Sequence, residues 1–144
     1  LNEWYGFAGL PILVAWQQIG YMMIIYIAGL QAIPGDVLEA AAIDGATGPQ
    51  RLFRVTIPMM MPSITICTFL TVVNGFKLFD QNLSLTAGEP AKLSEMLALN
   101  IYYTFYGRTG WEGVGQAKAV IFFVLVVIIG MFQLKATRSK EVQQ

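Results

Sequence analysis

Apolar residues along this chain fall into three long runs that contain no charged residue. The runs extend from Trp4 to Gly35, from Val55 to Phe76 and from Ala119 to Leu134. An α-helix needs about 20 mostly apolar residues to cross the hydrocarbon core of a bilayer. No polar residues alternate with the apolar ones to form a wet face, which disfavours a soluble helical core. The pattern predicts an all-α integral membrane protein with three transmembrane helices. We place the spans at about residues 10–33, 59–80 and 117–135.

Proline and lysine mark the ends of these runs. Pro34, Pro58 and Pro62 stand near the ends of the first two runs, as expected for residues that start or stop helices. The third run is short for a membrane span, and Lys118 precedes it. A lysine side chain is long enough to reach the membrane interface, which lets the apolar part of a helix extend past it. We therefore expect Lys118 to point towards the interface.

The composition agrees with a membrane protein and excludes several other classes. The chain is 56% hydrophobic and 12% charged, whereas soluble domains carry about twice that share of charge. A formal net charge of zero argues against a nucleic-acid partner, which needs a basic face. There is no His, and Cys67 is the only Cys. We therefore expect no disulfide within the chain, no metal cluster and no bound cofactor.

Basic residues predict how the chain is oriented in the membrane. They cluster between the first two spans and after the third: Arg51, Arg54, Lys135, Arg138 and Lys140. Cytoplasmic loops of membrane proteins carry an excess of Lys and Arg. Residues 34–57 and the tail are therefore expected in the cytoplasm. Residues 81–116 then form an outer loop on the opposite side.

The predicted cytoplasmic segment contains the signals of two short helices. Asp36 and Glu39 have the spacing of a capping box that would start a helix from Val37 to Ile43. Gly45 would end this helix in the left-handed conformation that glycine favours. A second helix is expected to begin near Pro49. Short helices are marginal alone in water, so this segment docks either into a groove on a partner or against lipid.

The same segment carries a long, ordered sequence motif. Glu39-Ala-Ala41 is followed after three residues by Gly45 and after nine more by Val55-Thr-Ile-Pro58. This order resembles the EAA signature of binding-protein-dependent ABC importer permeases. The wider stretch from Glu39 to Ala46 is similar to the carbohydrate-uptake branch, which includes the maltose and glycerol-phosphate transporter permeases. One departure is Ala87-Gly-Glu89, where the family usually has a run of glycines.

The resemblance implies a fold, a set of partners and a location. Family permeases have about six core spans, so residues 1–144 would be the C-terminal part of one such domain in a bacterial inner membrane. The EAA segment would be a coupling helix seated on a cytoplasmic ABC ATPase, with a second permease subunit and an extracytoplasmic solute-binding protein completing the importer. The coupling residues would be Glu39, Ala40, Ala41, Asp44 and Gly45. ATP would be bound by the ATPase, because this chain has no phosphate-binding loop and is not expected to be an enzyme.

Polar residues within the spans are the candidates for contact with solute. Ionisable and amide side chains at membrane depth are functional candidates by default. The candidates are Gln17, Gln18, Tyr21, Asn74 and Lys77. The resemblance to maltose-type permeases implies that Gln18, Tyr21 and Lys77 lie near the sugar. Lys77 either contacts solute, or extends outward to the interface, or pairs with Asp80, three residues on along the same helical face. The expected solute is a sugar, with glycerol phosphate or another polyol as the alternative.

The outer loop contains a second patterned stretch, since residues 91–107 have the pattern of an amphipathic helix. Aromatic residues cluster at its end: Tyr102, Tyr103, Phe105, Tyr106 and Trp111. Aromatic side chains are enriched at membrane interfaces. The cluster is therefore either an interfacial belt or a docking surface for the solute-binding protein.

Overall fold

The computed structural model of this protein describes residues 3–89 and 91–138, with side chains from residue 8 onward. Within these residues every regular element is a helix, which confirms the all-α prediction. Lys140, used in the orientation argument, lies outside the described residues. The elements are α1 (Glu3–Gln31), α2 (Gly35–Ile43), α3 (Gly48–Arg51), a π-helical turn (Leu52–Thr56), α4 (Ile57–Met59), α5 (Met61–Phe76), α6 (Asp80–Leu85), α7 (Leu97–Tyr106) and α8 (Glu112–Arg138).

Two helices in the described part of the chain are long and apolar enough to cross a membrane. They are the Ala8–Gln31 part of α1 and the whole of α8. Helical residues Gly48–Met59 and helix α5 meet at a bend of 66°, and the pair adds a third candidate if it is counted as one broken span. Large apolar side chains on α1 and α8 are exposed, as expected for helices that face lipid.

Helix α5 ends earlier than the sequence pattern indicates. Its last residue is Phe76, four residues before the predicted end of the second span. The backbone N–H of Lys77 is shared between the carbonyls of Val73 and Asn74, and the N–H of Phe79 turns back onto the carbonyl of Lys77. Asp80 then begins α6. The prediction that Lys77 and Asp80 lie on one helical face is therefore wrong, because a turn separates them.

The chain divides into two compact units, each built from two stretches of sequence. One contains the residues up to Gln18 together with Thr71–Gly130, and we call it the cavity unit. The other contains Ile19–Leu70 together with the residues from Met131 onward, and we call it the EAA unit. Each long helix, α1 and α8, contributes one part to each unit.

The EAA unit has a small core with one very close helix contact. Its buried apolar side chains are Ile33, Met60 and Cys67. Gly29 of α1 faces Ser63 of α5, and a Cβ added at Gly29 would overlap both the Cβ and the Oγ of Ser63. Small residues allow membrane helices to approach this closely. The close approach of α1 and α5 therefore depends on Gly29.

The cavity unit buries polar groups as well as apolar ones. Leu10 and Leu99 are buried apolar side chains, and Asn82, Ser94 and Thr104 are buried polar ones. Buried polar groups are tolerated when they are hydrogen-bonded, and each of these three makes a side-chain hydrogen bond. The cavity unit is therefore held by polar contacts between elements as well as by apolar contacts.

Candidate functional site

Helix α2 carries the residues of the EAA motif and stands on the surface. None of its side chains is buried. Its C-terminus closes with two hydrogen bonds, from the Ala46 N–H to the Ala41 carbonyl and from the Gly45 N–H to the Ala42 carbonyl, each 3.0 Å. This is the Schellman pattern, which needs a left-handed residue after the helix. Gly45 supplies it with a φ of 78°, as predicted from the sequence.

The start of α2 differs from the prediction. The helix begins at Gly35, and the residue before it is Pro34 with an extended backbone, so Asp36 lies inside the first turn. The predicted capping box of Asp36 and Glu39 is therefore wrong, and α2 has no side-chain cap. A proline suits this position because its φ is already fixed near −65°. A side-chain contact of the capping kind occurs instead before α3, where the Thr47 N–H donates to Gln50 Oε1 at 2.9 Å.

The predicted coupling residues lie mostly on the open face of α2. Glu39, Ala40, Asp44 and Gly45 are exposed, while Ala41 is half-buried. The two alanines put little relief on this surface, so another protein can approach the backbone closely. The exposed surface around α2 thus has low relief and carries the carboxylates of Asp36, Glu39 and Asp44.

A π-helical turn connects this surface to α5. The Ile57 N–H donates to the Leu52 carbonyl, five residues back, which is the π register. Pro58 follows at once and has no N–H to donate, so the usual register cannot continue undisturbed. The Met60 N–H then bonds the carbonyls of both Thr56 and Ile57, and the chain bends there. The sequence signal for this break is the pair of prolines, Pro58 and Pro62, but they did not reveal the π turn.

A cavity of about 420 Å³ lies within the cavity unit. It is bordered by Leu10, Pro11, Val14, Ala15, Gln18, Thr71, Gly75, Leu78 and Met96. Among these residues only Gln18 and Thr71 have polar side chains. Gln18 Oε1 is buried and accepts no hydrogen bond from the described residues. A buried acceptor without a donor is costly, so Gln18 is a ready hydrogen-bond partner for a ligand.

A second cavity of about 490 Å³ shares three of these wall residues. Thr71, Gly75 and Met96 border both cavities, and Glu95 borders the second one. Glu95 is the one charged residue among the described residues that border either cavity, and its side chain is only 4% exposed. The two cavities therefore have apolar walls, two neutral polar side chains and one acidic residue.

The predicted solute residues separate in the structure. Gln18 borders the first cavity, whereas Gln17 is exposed and its Oε1 accepts a hydrogen bond from Gln81 Nε2 at 2.9 Å. Tyr21 and Lys77 are exposed and Asn74 is half-buried; none of them borders either cavity. Their solute contacts stay predictions.

Thr71 was missed from the sequence. It stands in an apolar run with other threonines, so its residue type carried no signal. Its spacing did, because Thr71 and Gly75 are four residues apart and therefore on one face of α5. That face borders both cavities.

Most of the predicted aromatic cluster forms around Tyr102. Its ring centroid lies 5.1 Å from that of Phe79, 5.8 Å from Tyr103 and 4.9 Å from Tyr106. Tyr106 also contacts Phe105, at 4.8 Å. Trp111 lies instead against the guanidinium of Arg108, 4.9 Å from the ring centroid. The rings thus form a contiguous apolar surface, with Trp111 in a separate cation–π pair.

The sequence matches one protein family along almost the whole chain. Residues 2–138 match the family described as the binding-protein-dependent transport system inner membrane component. This chain belongs to that family. The resemblance seen in the sequence is therefore confirmed, and so is a place in the inner membrane. Members of this family are the permease components of binding-protein-dependent transport systems.

Three relatives of this permease carry names that specify a solute. The chain is 48% identical over 138 residues to the "probable starch degradation products transport system permease protein" of Thermoanaerobacterium thermosulfurigenes, covering 96% of this chain and 47% of that protein. It is 35% identical to a multiple sugar-binding transport system permease protein of Streptococcus mutans, covering 88% and 43%. It is 38% identical to an sn-glycerol-3-phosphate transport system permease protein of Agrobacterium fabrum, covering 88% and 43%.

The match to these three relatives is partial in one respect. The chain spans less than half the length of each of them. Family membership covers the EAA segment and both cavities, since residues 2–138 include them.

Proposed function

We propose that this permease forms part of the translocation pathway for a sugar and receives the motion of a separate ATPase through α2. The main support for a sugar as the solute is the cavity beside Gln18. Its walls are apolar apart from one amide and one hydroxyl, and ligand sites combine such walls with a few well-placed polar groups. Sugars match this pattern because they present apolar ring faces and hydroxyl donors together.

The acceptor at Gln18 strengthens the argument for a hydroxyl-bearing solute. Its buried Oε1 accepts no hydrogen bond from the described residues. A solute hydroxyl that donates to it would remove the free-energy cost of this unpaired acceptor. The names of two relatives, for starch degradation products and for multiple sugars, support the same class. A neutral, hydroxyl-rich solute is therefore the best match.

Glycerol phosphate is the rival solute, since one relative is named for it. Recognition of a phosphate calls for Arg, Lys or several N–H donors. The described residues that border the two cavities include no Lys or Arg, and the one charged residue among them is Glu95. The charge of these walls thus favours a sugar over a phosphate ester.

Uptake by the complete importer in proteoliposomes tests the solute site. We expect Gln18→Ala to raise the KM for a neutral oligosaccharide by roughly tenfold, because one hydrogen bond to the solute is lost. Gln17→Ala is the matched control, since Gln17 is the neighbouring amide and its Oε1 already accepts a bond from Gln81. Equal KM values for the two variants would rule out the cavity as the solute site, and uptake of glycerol phosphate in preference to sugar would reverse the choice of solute.

The coupling half of the proposal concerns residues 34–57, which we place in the cytoplasm. The exposed face of α2 would be covered by the ABC ATPase, with Glu39 as a partner for a basic residue and Gly45 as the turn that ends the contact. A second permease subunit and an extracytoplasmic binding protein would complete the importer. Transport would proceed by alternating access, with rigid bodies that move when the ATPase changes nucleotide state.

Cysteine cross-linking to the ATPase tests this arrangement. In a Cys67→Ala background, Ala40→Cys puts a thiol on the exposed face of α2, and Ser84→Cys puts one on exposed residue 84 of the predicted outer loop. With an ATPase that carries single cysteines along its surface cleft, we expect ATP-dependent cross-links from position 40 and none from position 84. A transporting complex that gives no cross-link from position 40 would refute the coupling role.

A further inference from the structure

Lys118 lies in the second turn of α8, immediately before the uncharged run from Ala119 to Leu134. Its Nζ donates to Asn100 Oδ1 at 2.7 Å and to Thr104 Oγ1 at 2.8 Å, both on α7. The side chain is half-buried. The ammonium is therefore bound to two acceptors on α7, and its position at the membrane interface stays a prediction.

Helices α7 and α8 approach each other closely enough for these bonds to form. A Cβ added at Gly115 would lie 2.8 Å from the Cβ of Phe105 and 2.9 Å from its Cα. Residues three apart on a helix share a face, so Lys118 extends from the same side of α8 as Gly115. The glycine thus brings the lysine within reach of α7.

Asn100 connects Lys118 to a buried acid. While its Oδ1 accepts from the ammonium, its Nδ2 donates to Glu95 Oε1 at 2.6 Å. The cation and the carboxylate together leave the amide one orientation, with oxygen towards Lys118 and nitrogen towards Glu95. A buried charge needs an opposite charge or hydrogen bonds to be tolerated. Lys118 and Glu95 thus compensate each other through a single amide.

Lys92 is the other cation beside Glu95, but it is poorly placed to replace Lys118. Its Nζ lies 4.0 Å from Glu95 Oε2, and its side chain is 69% exposed. Exposed ion pairs of this kind contribute little, on the order of 0–1 kcal/mol. Lys92 is therefore a matched control for the half-buried cation.

Asn82 holds the backbone on both sides of Glu95. This fully buried side chain donates from Nδ2 to the Ser94 carbonyl at 2.7 Å and accepts at Oδ1 from the Met96 N–H at 2.9 Å. The wall segment, residues Ser94–Met96, is thus bound by α6 through its backbone and by α7 through the Glu95 side chain. Met96 borders both cavities, so the position of the wall segment shapes them.

We propose that Lys118, Asn100 and Asn82 are positioning residues that hold the wall segment against the solute cavities, with Glu95 as the anion that Lys118 compensates. The role in transport rests on the function proposed above for the cavity beside Gln18. The placement of the wall segment does not, because it follows from the hydrogen bonds alone. The two parts are tested by different measurements.

Thiol labelling in the complete importer measures the placement of the wall segment. In a Cys67→Ala background, Met96→Cys reports access to the cavity wall through its reaction rate with a water-soluble maleimide. We expect Lys118→Met to change that rate by about fivefold or more, because Glu95 loses its compensating charge. Lys92→Met is expected to leave the rate within about twofold, as for an exposed pair. Equal rates for these two variants would overturn the positioning role of Lys118.

A charge-balanced variant keeps the test decisive if Lys118→Met assembles poorly. Lys118→Gln with Glu95→Gln removes both charges and leaves a chain of three amides. We expect this double variant to return the amount of importer and the labelling rate to within about twofold of the parent, since no buried charge is left uncompensated. A double variant as perturbed as Lys118→Gln alone would show that charge compensation is not what holds the segment.

Uptake kinetics then separate this proposal from the one on which it rests. We expect Lys118→Met to raise the solute KM by roughly tenfold while the maximal rate per assembled importer stays within about twofold, because the cavity wall moves. A shifted labelling rate with an unchanged KM would mean that the wall is positioned as proposed and that the cavity is not the solute site. An unchanged labelling rate overturns the positioning role, whatever the KM.

Discussion

The EAA surface and the wall segment are both short pieces outside the long helices, yet they are held in different ways. Among the described residues, the hydrogen bonds of α2 join backbone atoms only. The Schellman pair at Gly45 closes its C-terminus. The wall segment is held by side chains of three other elements, through Asn82, Asn100 and Lys118. Helix α2 is closed by its own backbone bonds but has no buried side chain. The wall segment is held and covered by other elements of the chain.

This difference indicates what each region requires from outside. A helix of nine residues is too short to be stable on its own in water, which agrees with the proposal that the ATPase covers the exposed face of α2. The wall segment has backbone hydrogen bonds at Ser94 and Met96 and a hydrogen bond to its buried carboxylate, all from its own chain. It therefore needs no partner for its shape, and what it leaves open is the cavity beside it.

The largest effect is expected from Gly45→Pro. Proline has no N–H to give to the Ala42 carbonyl and cannot adopt the φ of 78° found at this position. We expect uptake to fall to background while the amount of permease in the membrane stays within about twofold, because the change lies outside the spans. Gly35→Ala is the control, since Gly35 has nothing within 4 Å of an added Cβ. Normal uptake by Gly45→Pro would remove α2 from the coupling pathway.

Asn82→Leu is expected to have the next largest effect. It leaves the Met96 N–H and the Ser94 carbonyl without their partner in a fully buried site, which costs about 2–5 kcal/mol. The thermal midpoint of the purified importer should fall by several degrees. Gln81→Leu, which removes the neighbouring exposed bond to Gln17, should change it little. Similar midpoints for both variants would contradict the view that the wall segment is held internally.

Gly29→Ala tests packing within the EAA unit and should have a smaller effect. The added Cβ overlaps Ser63, and overpacking of this kind costs about 1–3 kcal/mol. Adding Ser63→Gly should recover most of the loss, which a double-mutant cycle on the thermal midpoint measures. Gly20→Ala, with nothing within 4 Å of the new methyl group, is the control. Additive losses in the cycle would show that Gly29 and Ser63 do not interact.

The smallest effect is expected from Lys77→Met. Lys77 is exposed, borders neither cavity and is separated from Asp80 by a turn. We expect the solute KM to stay within about twofold of the parent value, as is usual for a surface change away from a site. A KM raised by tenfold or more would place Lys77 in the pathway and would require contacts beyond those of this chain.

Regular features of the sequence predicted much of this structure. Long uncharged runs led to α1 and α8 because only a helix satisfies its own backbone in lipid. Gly45 led to the end of α2 because few residues other than glycine adopt its φ readily. Gln18 was found as a candidate because amides are uncommon in apolar spans. In each case one residue or one run carried the information locally.

Other predictions were wrong, and one wall residue was missed, because these features depend on contacts that the local sequence pattern does not contain. Pro34 took the position that Asp36 was expected to fill, and the turn after Phe76 removed Asp80 from the face of Lys77. Thr71 shares a face of α5 with Gly75, and packing against other elements made that face a cavity wall.

Lys118 shows the difference between what the local sequence determines and what tertiary contacts determine. Hydrophobic length and the EAA motif were enough to recognise a membrane helix bundle of the importer permeases, since hydropathy and turn chemistry act between residues close in sequence. Whether a half-buried lysine reaches lipid headgroups or a side chain on another helix depends on which acceptor is nearer. In this chain Asn100 and Thr104, 18 and 14 residues before it, supply the acceptors, and folding had to bring them there.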